Sequence, residues 1–273
     1  MKRLCLPAVL ALAIAASAPA HADNSITLTG TIRDFNSYGT TFDGVAGQPD
    51  FEHYGGDDRG IVQSLLGADG KPVYNDSISH PTITSAASFY QWYHDDPTVN
   101  MTGTINITLN QISPSLYQFS SQAFFPIDGQ LLGQEACCGH NYGFTTEFHT
   151  QFTYSSSAND SFAFSGDDDV FVFVNGHLAL DLGGVHPEED GSFNLNDIAA
   201  ADGLSNGGTY TLDVFQAERH TTGSDFTMTT SLALSTAPPP DTNEVPEPGA
   251  LLLSLAALGA LGAATGQRRE PAR

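Results

Sequence analysis

The chain has 273 residues, with 31 Asp and Glu against nine Lys and Arg, which gives a formal net charge of −22. Between residues 23 and 240 there are 27 acidic and four basic side chains. Such a surface repels nucleic acid and anionic lipid, so both are excluded as partners. It attracts divalent cations and also favours solubility, and composition alone leaves these two uses open.

The first 22 residues predict a secretory signal peptide. Lys2 and Arg3 precede an apolar run at 4–18, and residues 20–22 (AHA) offer a cleavage site with small residues. The apolar run is short and is interrupted by Pro7, which argues against a membrane anchor. We therefore predict that the protein is exported and that its mature chain begins after the AHA site.

The mature chain predicts an all-β domain. Short apolar and alternating runs recur along it, separated by Gly, Asn, Asp and Pro, without sustained helical periodicity. The predicted strands are 25–34, 100–109, 116–125, 143–154, 161–164, 170–174, 210–216 and 225–234. This spacing is typical of an antiparallel β-sandwich or barrel with long loops. About 220 residues suit one such domain better than two.

Three consecutive aspartates at 167–169 directly precede an unusual strand. The run 170–174 (VFVFV) is apolar at every position, which predicts a strand buried on both faces. Asn-Gly at 175–176 predicts a two-residue type I′ hairpin, and the return strand at 178–182 places its three leucines on one face. The aspartates therefore lie at the mouth of a buried strand, where they repel one another unless a cation lies among them.

Seven short motifs occur in a fixed order along the mature chain. They are 30–35 (GTIRDF), 48–52 (QPDFE), 89–93 (FYQWY), 124–129 (FFPIDG), 141–154 (NYGFTTEFHTQFTY), 165–186 and 217–226 (AERHTTGSDF). Together they resemble the fibro-slime domain, which belongs with the PA14-like β-sandwiches, and we assign residues 23–234 to it. The resemblance implies a PA14-like fold. In the lectin members of that group, an Asp-Asp pair holds a calcium ion that contacts sugar hydroxyls.

The acidic cluster predicts a calcium site. The resemblance places Asp167 and Asp168 at the position of the Asp-Asp pair, and Asp169 where many members have glycine. The side chains themselves favour the same ion, since Ca²⁺ takes about six to eight oxygen ligands. We predict Ca²⁺ at Asp167, Asp168 and Asp169, with Asp181 and Glu218 as further candidates for ligand binding. The alternative is that the aspartates cap backbone amides at a turn.

Two other residues are candidates near the site. Arg219 is one of four basic residues between residues 23 and 240, and we predict that it pairs with a carboxylate inside the fold. Glu218 is then either a calcium ligand or the partner of Arg219. Trp92, the only tryptophan, is a candidate for stacking on a sugar, with packing in the core as the alternative. No histidine spacing typical of zinc and no nucleophile motif occurs.

The mature chain has two cysteines, Cys137 and Cys138, which are adjacent. In an oxidising compartment they form either a vicinal disulfide or a link to another chain, and two free thiols are the alternative. The sequence leaves their state open.

The last 29 residues, 245–273, contain a V-P-E-P motif, an apolar run at 249–266 and an arginine pair, in that order. The motif and the pair are Val245, Pro246, Glu247, Pro248, Arg268 and Arg269. This order resembles the PEP-CTERM sorting signal of Gram-negative bacteria, preceded by a proline-rich linker at 235–244. The resemblance implies processing by an exosortase, with the tail in the inner membrane only beforehand, and release to the cell surface or matrix. A plain C-terminal anchor is the alternative.

Taken together, these features predict an exported, surface-sorted module that binds and is not an enzyme. Its predicted ligand is a glycan or exopolysaccharide, recognised with the support of Ca²⁺. One alternative is a structural matrix protein in which calcium only rigidifies loops. A second is a secreted glycan-active enzyme that uses a carboxylate pair for glycoside hydrolysis, although the abundance of acidic residues is not a signal for such a pair.

Overall fold

A computed structural model of the protein describes residues 24–37, 39–42, 44–52, 55–133 and 138–235. The predicted signal peptide, nearly all of the linker and the sorting tail with its V-P-E-P motif and arginine pair lie outside the described residues. Those predictions therefore stay predictions. Neither helix in the described ranges is long and apolar enough to cross a membrane.

The fold class is all-β, as the sequence predicts. Fifteen strands and two short helices form in the described residues. The strands are β1 (Ser25–Phe35), β2 (Thr41–Phe42), β3 (Val45–Ala46), β4 (Gly56–Asp57), β5 (Asn100–Ser113), β6 (Leu116–Ser121), β7 (Phe144–Thr153), β8 (Ser161–Gly166), β9 (Asp169–Val174), β10 (His177–Leu182), β11 (Gly184–Val185), β12 (Glu189–Asn194), β13 (Thr209–Glu218), β14 (Phe226–Thr230) and β15 (Leu234–Ser235). The helices are α1 (Ala86–Tyr90) and α2 (Leu195–Ile198).

Eleven strands form one continuous antiparallel sheet. Its order is β10-β9-β13-β7-β1-β5-β6-β14-β8-β12, with β15 paired to β7. The sheet curls until its two end strands meet, and a Cβ atom at Gly191 on β12 would lie only 2.5 Å from Leu180 Cδ1 on β10. Gly191 therefore permits this close approach, and the sheet nearly closes into a barrel. The pairs β2–β3 and β4–β11 form two small separate sheets.

Strand β9 is buried on both faces, as its sequence predicts. Val170, Val172 and Val174 point into the curled sheet, where they join the larger apolar core. Phe171 and Phe173 point outward into a second core, which the segment between β3 and β5 builds over β9 and β13. The strand therefore lies between two apolar layers. Because neither of its faces contacts solvent, all five residues at 170–174 are apolar.

The hairpin after β9 forms as predicted, with positive φ at Asn175 (51°) and Gly176 (78°). The expectation that the three leucines of the return strand share one face is wrong. A β-bulge between Leu178 and Leu180 inserts one extra residue and reverses the alternation. Leu178 therefore packs against the second core, whereas Leu180 and Leu182 pack against the larger one.

Candidate functional site

At one end of the sheet, β9 begins beside the end of β13, with Asp169 opposite Ala217. Arg219, just after β13, donates from Nε to Asp169 Oδ2 at 2.6 Å and from Nη2 to Asp169 Oδ1 at 3.0 Å. The amide of Gly184 also donates to Asp169 Oδ1, at 2.7 Å. Both side chains of this ion pair are fully buried. The predicted internal partner of Arg219 is therefore confirmed and is Asp169.

These contacts correct the assignment of Asp169 as a metal ligand. Both of its carboxylate oxygens already accept hydrogen bonds, and two of those bonds come from a guanidinium. A cation bound there would have to displace the arginine and would leave a buried positive charge without its partner.

Trp92 belongs to the second core and not to a ligand surface. The side chain is fully buried. The guanidinium carbon of Arg219 lies 4.6 Å from the ring centroid, and the indole nitrogen donates to Asp50 Oδ2 at 3.1 Å. The prediction that Trp92 stacks on a sugar is therefore corrected, because its ring has no face open to a ligand. Its role is to attach the second layer to the sheet.

Glu218 lies on the opposite face of β13, because successive side chains of a strand alternate. Ala217 packs in the second core and Arg219 lies over Trp92, so Glu218 points away from both. Only 1% of Glu218 is exposed, yet its Oε2 atom has no hydrogen-bond partner. Of the two roles predicted for Glu218, the partner of Arg219 is thus excluded.

Asp167 and Asp168 lie beside Glu218 and line an open cleft of about 500 Å³. Asp168 Oδ2 accepts a hydrogen bond from the Arg219 amide at 2.8 Å, and Asp167 Oδ1 accepts one from the Asp225 amide. The peptide bond between the two aspartates is cis. The capping alternative therefore holds for one oxygen of each aspartate, while both side chains also face the cleft.

The cleft has predominantly acidic walls. Besides the two aspartates, its titratable lining residues are His186, Glu188, His220 and Asp225. Sequence reasoning missed His186, His220 and Asp225 as part of a site, whereas Glu188 belongs to the acidic turn at 188–190, which the sequence offers as a further source of calcium ligands. The available signal was their position, because they fall within or beside the two motifs at 165–186 and 217–226.

Burial raises the pKa values of the carboxyl groups at the cleft. The pKa of Asp167 rises to about 6, and the pKa values of Asp168 and Glu218 rise well above their usual ranges. For Glu218 the negative charges of Asp168 and Asp167 add to the effect of burial. The Arg219 guanidinium opposes the rise at Asp168 and more directly at Asp169. Asp167 and Asp168 in the cleft and Glu218 beside them thus favour a bound proton or a nearby cation.

The residues at the cleft fit a hard cation in their donor chemistry. Asp167, Asp168 and Glu218 supply carboxylate oxygens. The Glu218 carboxyl interacts with the Ser224 side chain and the His220 backbone, which oppose the rise of its pKa, but its buried Oε2 atom has no hydrogen-bond partner. Within the described ranges, no group of three or more His, Cys, Asp or Glu side chains already has the spacing of a metal site. The calcium site therefore stays a prediction, now centred on these three residues.

Asp181 is not part of this cluster. Its Oδ2 accepts from the Gly60 amide at 2.7 Å, and its Oδ1 accepts from the Gly183 amide at 2.9 Å. The side chain joins the loop after β4 to the end of β10. The structure thus gives Asp181 a backbone-capping role, away from the residues that line the cleft.

Each of the four basic side chains in the described part of the chain has an acidic partner. Lys71 donates to both carboxylate oxygens of Glu147, which also lies 3.3 Å from Arg33 Nη1. The remaining pairs are Arg33–Asp95, Arg59–Glu189 and Arg219–Asp169. All these cations are therefore used within the fold.

Cys138 is disulfide-bonded, so the free-thiol alternative does not apply to it. Cys137 lies outside the described residues.

Comparison with known proteins supports the PA14 part of the resemblance. Residues 135–244 match the family model of the PA14 domain, a stretch that contains the cleft carboxyls. Protein psiQ of Dictyostelium discoideum is 40% identical over 195 residues, which cover 66% of this chain and 19% of psiQ. Protein psiD of the same organism is 36% identical over 222 residues, which cover 77% of this chain and 42% of psiD. The chain thus spans about a fifth to two fifths of these relatives.

Among solved structures, the PA14 sugar-binding domain from an RTX adhesin aligns with 74% of this chain and 88% of its own length. The sequence identity is 7% and the TM-score is 0.31.

Proposed function

We propose that this chain, through the PA14 domain matched at 135–244, binds Ca²⁺ at Asp167, Asp168 and Glu218 and uses the ion to hold a glycan. The observation that carries the proposal is the buried Glu218 Oε2 atom, which has no hydrogen-bond partner beside two aspartates that face an open cleft. A buried carboxylate oxygen without a donor is costly, and a divalent cation compensates it directly.

The position of the cluster supports recognition of a ligand and not only a structural ion. Asp167 and Asp168 face the cleft, so an ion held by them keeps coordination positions on the open side. Sugar hydroxyls and water are oxygen ligands of the kind that Ca²⁺ accepts. The acidic residues Glu188 and Asp225 in the cleft repel anionic polymers, which favours a neutral glycan.

Export and sorting belong to the same proposal. The signal peptide at 1–22 delivers the chain across the inner membrane, and an exosortase acts at the V-P-E-P motif of the tail. The released domain then serves in adhesion at the cell surface or in the extracellular matrix of a Gram-negative bacterium. Binding, without turnover of the glycan, is its proposed activity.

Thermal unfolding of the mature protein in Ca²⁺ and in chelator tests the metal. Ca²⁺ at about 100 times its Kd should add about 2.7 kcal/mol to the free energy of unfolding, because only the folded state holds the site. Asp168→Asn should lose most of this gain, and Mg²⁺ at the same concentration is the control for nonspecific screening. Equal melting temperatures in Ca²⁺ and chelator would overturn the proposal.

A glycan array tests the ligand. Binding to neutral glycans that disappears in chelator supports the proposal. Stabilisation by Ca²⁺ together with a blank array would instead favour a structural matrix protein. Release of reducing sugars from a polysaccharide panel would favour an enzyme.

A further inference from the structure

Three partly exposed aromatic side chains form a cluster near the cleft. The rings of Phe125 and His140 are stacked, with centroids 4.0 Å apart and an interplanar angle of 9°. Tyr142 meets the Phe125 ring edge-on at 4.9 Å. We refer to Phe125, His140 and Tyr142 as the aromatic platform. The sequence motifs include Phe125 and Tyr142 but do not distinguish them from core residues, and His140 directly precedes the motif at 141–154.

Backbone contacts place the platform beside the acidic cleft. Phe124 donates its amide to Ser224 O at 2.8 Å, and Ser224 Oγ donates back to Phe124 O at 2.7 Å. Phe125 is therefore fixed next to the loop that carries the cleft residues His220 and Asp225. Tyr142 lies two residues before Phe144, which is paired with Glu218 across the sheet. Burial and the charges of Glu218, Asp128 and Asp167 raise the pKa of Tyr142, as expected for a ring near the cluster.

The platform is held in place before any ligand arrives. His140 Nδ1 lies 2.6 Å from Asp128 Oδ2, and the Asn141 amide donates to Asp128 Oδ1 at 2.8 Å. Asp128 thus fixes both the ring and the backbone beside it. The His140 side chain is nonetheless 46% exposed. A fixed and partly exposed aromatic surface binds at a lower entropic cost than a mobile one.

We propose that the aromatic platform stacks against the apolar C–H face of a pyranose ring, in the same glycan whose hydroxyls lie at the cleft. This inference rests on the proposed function and specifies a second contact for it. Carboxylates with an ion hold the polar edge of one sugar, and Phe125, His140 and Tyr142 hold the apolar face of that sugar or its neighbour. Tyr142 and Phe125 add specificity for rings whose C–H groups project to one side.

The chain contains a matched control for this surface. Tyr90 and His94 are also stacked, with centroids 3.6 Å apart, and His94 Nε2 lies 2.9 Å from Asp69 Oδ2. Tyr90 is 59% exposed. This second stack also pairs a tyrosine or phenylalanine ring with a histidine held by an aspartate. Neither stack lines the cleft itself, but the platform adjoins the loop that carries His220 and Asp225, whereas the second stack contacts Asp69. Its removal should therefore leave glycan binding unchanged.

The test measures the affinity for the best glycan of the array in Ca²⁺ for the full mature protein and its variants. Tyr142→Ala should weaken binding about tenfold, the effect of about 1.4 kcal/mol, whereas Tyr142→Phe and Tyr90→Ala should stay within about twofold. The stabilisation by Ca²⁺ should be the same in all four proteins, which also verifies that the variants fold. Equal affinities of wild type and Tyr142→Ala would overturn the platform and leave the proposed function standing.

A second readout does not depend on the array. Methyl glucoside, methyl galactoside and methyl mannoside are titrated into the wild type, and the ring signals of Phe125, His140 and Tyr142 are followed by NMR. Shifts at these rings, absent at Tyr90, support the platform. Unchanged ring signals with all three glycosides overturn it. Shifted rings together with equal melting temperatures in Ca²⁺ and chelator would overturn the metal-supported part of the proposed function and leave the platform standing.

Discussion

On the two faces of the sheet, at the adjacent ends of β9 and β13, buried carboxylates have opposite surroundings. On the outer face, Asp169 accepts two hydrogen bonds from Arg219 and one from Gly184. On the inner face, Glu218 has an oxygen with no partner, beside Asp167 and Asp168. Residues adjacent in sequence thus end in a satisfied ion pair and in an unsatisfied acidic cluster. The difference shows that the chain supplies a cation, the Arg219 guanidinium, for the buried carboxylate of the outer face and supplies none for the Glu218 Oε2 atom of the inner face.

The largest change in stability should come from removing the ion pair between Arg219 and Asp169 on the outer face. Arg219→Met leaves Asp169 buried without its cation and should lower the free energy of unfolding by about 3–5 kcal/mol. Urea unfolding at neutral pH measures the change. Adding Asp169→Asn to this variant should recover part of the loss, because the unpaired charge is removed. A loss below about 1 kcal/mol would show that Arg219 does not compensate Asp169.

A smaller loss is expected from Trp92→Phe, which changes the second layer on the same face. The variant loses the hydrogen bond to Asp50 and part of the contact with Arg219. Its free energy of unfolding should therefore be lower by about 1–3 kcal/mol. Urea unfolding measures the loss, and the array measures binding. Glycan affinity should be unchanged, because the ring is fully buried. Weaker glycan binding with unaltered stability would contradict the core role of Trp92.

On the inner face, removal of the charge of Glu218 should raise the free energy of unfolding, whereas the changes on the outer face lower it. In chelator at mildly alkaline pH, Glu218→Gln removes an unpaired buried charge at nearly constant volume and should raise the free energy of unfolding by about 1 kcal/mol. The same variant should lose most of the stabilisation by Ca²⁺. Glu147→Gln is the matched control, since Glu147 is equally buried but paired with Lys71 and Arg33, and it should be destabilising. If both variants destabilise alike, the contrast between the two acidic residues fails.

The smallest expected effect is on pH dependence without metal. The pKa of Asp167 is about 6 in the folded protein against an ordinary value of 3.8, so the folded state binds more protons between these values. Stability therefore falls as the pH rises from about 4 to about 6, and the raised pKa values of Asp168 and Glu218 extend the fall to higher pH. In chelator, the melting temperature should be a few degrees higher at pH 5 than at pH 7. Saturating Ca²⁺ should reduce or reverse this difference. A melting temperature in chelator that rises between pH 5 and pH 7 would contradict the prediction.

The strands and the hairpin were predictable because their signals are local. Alternation marks β1 and β5, and the Asn-Gly pair after β9 specifies a turn that needs two positive φ angles. The bulge that turns Leu178 to the second core carries no such signal. Its cause is the covering layer, built by residues distant in sequence.

The candidate site was predictable in location but not in membership. Alternation along a strand already implies that neighbours such as Glu218 and Arg219 point to opposite faces. The identity of each partner depends on the pairing of β9 with β13, across about 50 residues of sequence. The burial of Trp92 likewise depends on a layer that packs over the sheet from outside. Local patterns do not contain these long-range contacts.

The pairing of all four described basic side chains with carboxylates determines the electrostatic field around the domain. Each basic side chain of the described surface is paired with a carboxylate, so the electrostatic field around the fold is predominantly negative. Two copies repel each other within a Debye length, about 8 Å at physiological ionic strength. The same field gathers counter-ions from solution into a cloud around the protein. Dilute divalent ions are therefore enriched near the acidic cleft, and added sodium chloride reduces that enrichment by screening, with no change in the protein's own contacts.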